Sequence, residues 1–205
     1  MPKVIRRLFA FALLLLWLPA GALALTGQTF STFQTYYREN VSFINDNEGR
    51  HMLPIELSMA DLNDNGRKQY SVYSVALNVT VTVDGEGIIE TCEIRLIYPE
   101  GAQQGNSLYL DYVTAQYHSL AFIMAMHVSP TPDSRYFLAD EIRNELRNNF
   151  GAYERQLGSY TISCVSVAGE GAVFTFTNNS LTPALDDPWD GGPTPEPLDD
   201  SEHLG

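Results

Sequence analysis

Apolar positions change period several times along this chain, and the changes outline its elements. Phe30, Phe33, Tyr37, Val41 and Ile44 recur at spacings of three and four, one face of a helix from about Thr29 to Asn45. Asn45-Asp46-Asn47-Glu48-Gly49 reads as its exit. Ile55, Leu57 and Met59 then alternate with polar residues, the period of a strand. From Tyr73 to Val83 every second residue is apolar, with Ser74, Asn78, Thr80 and Thr82 between. That predicts one long half-buried strand. Asp84-Gly85-Glu86-Gly87 is a turn, and Ile88 to Tyr98 returns. Pairing Val83 with Ile88 sets Val79 against Cys92 and Asn78 against Glu93, which sorts apolar from polar on two faces.

Ser107 to Val128 reads as a second helix, apolar nearly all round from Leu120 to Met126 and therefore buried at that end. Thr131-Pro132-Asp133 has the cap, proline and acid of a helix start. Leu138, Ile142, Leu146 and Phe150 give that helix its stripe. Tyr160 to Val167 and Ala172 to Thr177 form a further hairpin. The order helix, three strands, two helices, two strands lacks regular strand–helix–strand alternation, which argues against a parallel sheet. The expected class is α+β: an antiparallel sheet of about five strands with helices packed on one face.

The ends of the chain are different in kind. Lys3, Arg6 and Arg7 precede an apolar run from Leu8 to Leu18, and Ala22-Leu23-Ala24 follows. A basic head, a short apolar stretch and an A-x-A site predict a secretory signal peptide over residues 1–24, cleaved after Ala24. The run is shorter than the about 20 residues a membrane-spanning helix needs. Residues 25–182 are then a single domain. Residues 183–205 hold five prolines and seven acids with no Lys or Arg, the composition of a disordered tail. The expected location is secreted, periplasmic or extracellular, with no stable membrane anchor.

Charge and cysteine narrow the partners. The formal net charge is −13, and loss of the leader removes three basic residues and no acid. Phosphate backbones and anionic lipid surfaces repel such a chain, so no nucleic-acid partner is expected. A protein or another extracytoplasmic ligand is. Two cysteines, Cys92 and Cys164, in an oxidising compartment predict one disulfide. They make no zinc site.

Candidate chemistry is sparse. Asp61-x-Asn63-x-Asn65-Gly66 has the oxygen-ligand spacing of a calcium loop, with glycine at the sharp bend. Arg67 and Lys68 stand beside it, and the same residues favour a plain Asx-rich turn, so no cofactor is expected, with calcium the one candidate. Asp111 and His118 are seven apart, on one helix face with Thr114 between them, and an Asp that orients a His is half of a nucleophilic site. No G-x-S-x-G, H-E-x-x-H, C-x-x-C or phosphate loop occurs. Tyr37, Tyr73 and Tyr98 fall on apolar stripes and read as core. Val81–Thr91 (VTVDGEGIIET) and Val165–Thr175 (VSVAGEGAVFT) resemble each other, by duplication or because hairpins are commonly built that way. Asn40, Asn78 and Asn178 begin N-x-S/T triplets. The expected function is an exported, non-enzymatic binding or accessory domain. A small secreted hydrolase using the Asp-His pair is the alternative.

Overall fold

A computed structural model describes residues 27–62, 65–148, 152–167 and 171–180. The expected signal peptide, the tail, Asn63 and the side chains of Leu138, Leu146 and Phe150 lie outside the described residues. Three helices and seven strands are found among the described residues, in the order α1 (Phe30–Glu48), β1 (Ser58–Asp61), β2 (Lys68–Tyr73), β3 (Leu77–Val83), β4 (Ile89–Ile97), α2 (Ser107–Ala125), α3 (Pro132–Asn148), β5 (Ala152–Leu157), β6 (Tyr160–Val167) and β7 (Gly171–Asn178). The strands form one antiparallel sheet, ordered β1-β2-β3-β4-β7-β6-β5. The α+β class holds, but the sheet has seven strands rather than about five.

The helices follow their stripes. Thr29 caps α1 by accepting from Thr32 N, and Gly49 ends it in the left-handed conformation at φ 60°, a geometry that glycine adopts without a Cβ penalty. Asn106 caps α2 by accepting from Tyr109 N. The second half of α2, from His118 on, is buried all round. It is enclosed by α1, α3 and the inner face of β3 and β4. Side chains from β3, β4, β6 and β7 join those of the helices in one hydrophobic cluster. The helices therefore share one face of the sheet.

The other face is polar and largely half-exposed, although Thr82 itself is buried. Thr82, Thr91, Thr177 and Thr161 stand in register across β3, β4, β7 and β6, flanked by Gln69 and Gln156. Threonine suits such a half-exposed pleated surface.

Both extra strands come from a misread turn or an unread edge. The expected strand Tyr73–Val83 breaks after Tyr73. Ser74 Oγ accepts from Leu77 N and donates to Leu77 O, both at 2.9 Å, and Ser74 N donates to Asn78 Oδ1. A serine hydroxyl does there what glycine or proline does in more conspicuous turns, so β2 and β3 form a hairpin of their own and Tyr73 is left 66 % exposed. β5 is an edge strand whose residues alternate exposed and half-buried, too polar to announce itself. The expected strand around Ile55 begins only at Ser58, because Ile55 N donates to the Tyr37 hydroxyl and not to a neighbouring strand.

The observed register corrects one further expectation and fixes the faces of β6. Leu77 pairs with Leu96 and Val81 with Cys92. The β3–β4 pairing is thus displaced by two residues, which preserves the faces. In β6, Cys164 and not Val165 points inward: Cys164 is 1 % exposed and Val165 49 %. The resembling segments are therefore out of phase, since buried Val81 aligns with exposed Val165. The mirrored strand order is not matched by mirrored faces.

The expected disulfide is absent. Cys92 and Cys164 are free and buried. Cys92 pairs with Phe176 and Cys164 with Phe174, both on β7. The cysteines thus stand on either side of β7, two interstrand spacings of about 4.8 Å apart and offset along the strand, beyond the ~7 Å Cα separation a disulfide spans. Burial raises both thiols, Cys164 to about 12.

Candidate functional site

α2 carries the candidate pair down one wall of a cavity. Seven residues at about 1.5 Å rise put Asp111 and His118 about 10 Å apart along the axis. Asp111 and Thr114 are exposed and His118 is 6 % exposed. All three line a cavity of about 350 Å³, within the range of small-molecule sites. The opposite wall is the β2–β3 turn, Ser74 to Leu77, with Val72 below it. Ile55 closes the third side. The lining is chiefly aliphatic, and Asp111 is its one charged residue.

The third side is held by α1. Asn45 clamps Met52 with two hydrogen bonds of 2.9 Å, Nδ2 donating to Met52 O and Oδ1 accepting from Met52 N. Tyr37 lies two turns earlier, its ring stacked on Phe122 at 3.9 Å. Its hydroxyl accepts from Ile55 N at 3.1 Å and stands 2.9 Å from His118 Nδ1. The arrangement that uses the hydroxyl hydrogen has Tyr37 donating to Nδ1, which puts the imidazole proton on Nε2. Burial lowers the His118 pKa from its ordinary value, so the ring is neutral at pH 7 and Nε2–H is a donor. Burial also raises the Tyr37 hydroxyl, with Ile55 N acting against it, so the phenol stays protonated.

Asp111 and His118 thus share a cavity without touching. His118 is oriented by Tyr37, and Asp111 forms no hydrogen bond or ion pair among the described residues. Ser74, a hydroxyl on the facing wall, is committed to its own turn. The arrangement supplies a neutral donor deep in an apolar slot and an anion at its mouth. Among the described residues no three His, Cys, Asp or Glu side chains gather around one point, and no helix is long and apolar enough to cross a membrane. No protein-family model matches the chain, and no curated protein or solved structure is significantly similar to it.

The other sequence candidates lie elsewhere in the fold. Asp61 lies opposite Lys68 across β1 and β2, and Asn65 and Gly66, at φ 48° and 78°, turn the connection between them. Arg67, beside them, pairs with Glu90. Asn40 and Asn178 are buried, their amides donating to Ala121 O and Ile89 O. Neither is accessible to a glycosylating enzyme once the chain has folded.

Sequence reasoning missed two groups. Tyr37 was legible only as part of an apolar stripe, although a buried tyrosine needs a partner for its hydroxyl. Arg135, on the polar side of a stripe whose other residues were easier to read, is 0 % exposed. It donates to Glu39 Oε2 at 2.7 Å, Asn40 Oδ1 at 2.9 Å and Ser129 O at 2.8 Å, and lies over the Tyr36 ring. It ties α3 to α1 and thereby fixes α2 between them.

Proposed function

We propose that this chain is an exported binding or accessory domain that acts outside the cytoplasm and takes its ligand in the cavity between α2 and the β2–β3 turn. The observation that carries the reading is the division of labour inside that cavity. His118 is neutral and pinned by Tyr37 through Nδ1, while Asp111 stands about two helical turns away. Catalysis needs a nucleophile or activated water, a base in reach and a donor for developing charge. Binding needs an apolar slot and a few placed polar groups, and the cavity lining has that composition. Export is supported by the basic head, apolar run and Ala22-Leu23-Ala24 of the sequence, and the net charge disfavours nucleic acid.

One observation favours a hydrolase as a second reading: Asp111 and His118 do open onto the same cavity. A single pair of experiments separates the two. Nile red, a neutral solvatochromic dye, is expected to bind the folded protein, and Thr114→Trp, a substitution at the exposed mouth, is expected to leave the fold intact and displace it. Hydrolysis of p-nitrophenyl esters is expected to stay at the solution rate. Turnover that disappears in both His118→Ala and Asp111→Asn would instead establish the hydrolase, and dye binding untouched by Thr114→Trp would remove the cavity from the proposal.

A further inference from the structure

The ligand class follows from the polar groups at the two ends of the cavity, given the binding reading above on which this step rests. At the inner end His118 Nδ1 is taken by Tyr37, so the ring offers Nε2–H, a donor that wants a neutral acceptor such as a carbonyl oxygen. At the outer end Asp111 is exposed and unpaired among the described residues. No cationic side chain lines the cavity to neutralise it. Between them run Ile55, Val72, Leu77 and Ala115, a surface that accepts methylene groups and nothing charged.

We propose that the cavity binds an organic cation built as an ammonium, an apolar spacer and a carbonyl-type acceptor, with the ammonium on Asp111 and the acceptor on His118 Nε2–H. The spacing of the ends is set by the helix: seven residues, about 10 Å of rise. A straight aliphatic chain of seven methylenes between amine and amide bridges that length. Anionic ligands are excluded twice, by Asp111 at the mouth and by the net charge of −13 over the whole chain. Val75, on the rim and 51 % exposed, extends the apolar wall into solvent, where the spacer enters.

The test uses four probes of similar chain length on the full chain labelled with nitrogen-15: 8-aminooctanamide, octanamide, octylamine and the monoamide of suberic acid. The expected result is that 8-aminooctanamide moves the amide signals of Thr114, Ala115, His118 and Ala76. It should bind about five-fold more tightly than octanamide, the range of an exposed ion pair, and more tightly than octylamine, which lacks the acceptor. The anionic monoamide should be weakest. Asp111→Asn should erase the preference for amine over neutral amide and leave the fold unchanged. Equal affinity for the cationic and neutral amides, or a ranking that survives Asp111→Asn, overturns the cation assignment while the cavity remains a binding site. Probes that move no signal around the cavity overturn the assignment and the binding reading together.

Discussion

Replacing Tyr37 with Phe removes one oxygen atom and tests the centre of the site. The ring itself is expected to stay, because its stacking on Phe122 at 3.9 Å and 4° between planes does not involve the hydroxyl. What is lost is a bridge. Ile55 N and His118 Nδ1 each lose their partner. A hydrogen bond contributes about 0.5–1.5 kcal/mol net, and more where the abandoned group stays dry. Ile55 is half-buried beside the cavity, so its N–H carries the smaller penalty. His118 is 6 % exposed, so its Nδ1 carries the larger penalty. The sum is about 2–3 kcal/mol. At roughly 2–4 °C per kcal/mol for a domain of this size, Tm should fall by about 4–12 °C.

Tyr98→Phe is the matched control. It loses a single bond, to Ala102 O at 3.0 Å, at a half-buried site, and should cost about 0.5–1 kcal/mol. Urea melts of the two variants give the comparison directly. The imidazole nitrogen-15 shifts of His118 give a second readout: the Nε2–H tautomer should dominate in the parent protein and give way to a mixture in Tyr37→Phe. A Tyr37→Phe variant as stable as the parent, or no worse than Tyr98→Phe, would refute the bridge and with it the orientation assigned to His118.

Three other outcomes are expected. Glu39→Ala should cost about 2–4 kcal/mol by chemical denaturation, far more than an exposed pair, because Arg135 is fully buried and loses its counter-charge; a loss under 0.5 kcal/mol would show that Asn40 and Ser129 suffice. Burial lowers the pKa of both His118 and His127, and Arg135 and then Arg155 lower His127 further. The unfolded chain therefore takes up these protons first, near pH 6.5, and stability present above that pH is lost as pH falls through it; His127→Phe should flatten part of the slope between pH 7 and 5, and an unchanged slope would remove His127 from the account. Thiol labelling without reductant should modify neither cysteine in the native protein and both after denaturation, whereas an unreactive denatured chain would mean that Cys92 and Cys164 had found a way to pair.

The helices were legible because each is written twice, once in its stripe and once in its cap. Thr29, Asn106 and the Thr131-Pro132-Asp133 start each stand at a boundary that the structure keeps to within a residue or two. Strands carry less. Alternation fixes which face a residue takes but not where the strand bends, and the Ser74 turn has no glycine, proline, Asn or Asp at its centre. The cysteines illustrate the same limit. A compartment argument says that thiols oxidise there, but only the order of strands says whether two of them meet, and the insertion of β7 between β4 and β6 keeps these two apart.

The candidate site shows what a face argument can reach. Helical spacing alone put Asp111, Thr114 and His118 on one side of α2, and they do share a cavity. It said nothing about what that side faces. The facing wall is a turn whose existence was unreadable, and the group that orients His118 comes from 81 residues earlier in the chain. The distinction between binding and catalysis turns on those two contributions. Had α1 presented a carboxylate in place of the Tyr37 hydroxyl, it would stabilise His118 as an imidazolium, the support a histidine base has where it activates a nucleophile. A phenol that also accepts the Ile55 N–H gives no such push. It fixes the tautomer, while burial keeps the ring neutral, and the one N–H that remains is what the binding reading proposed above uses.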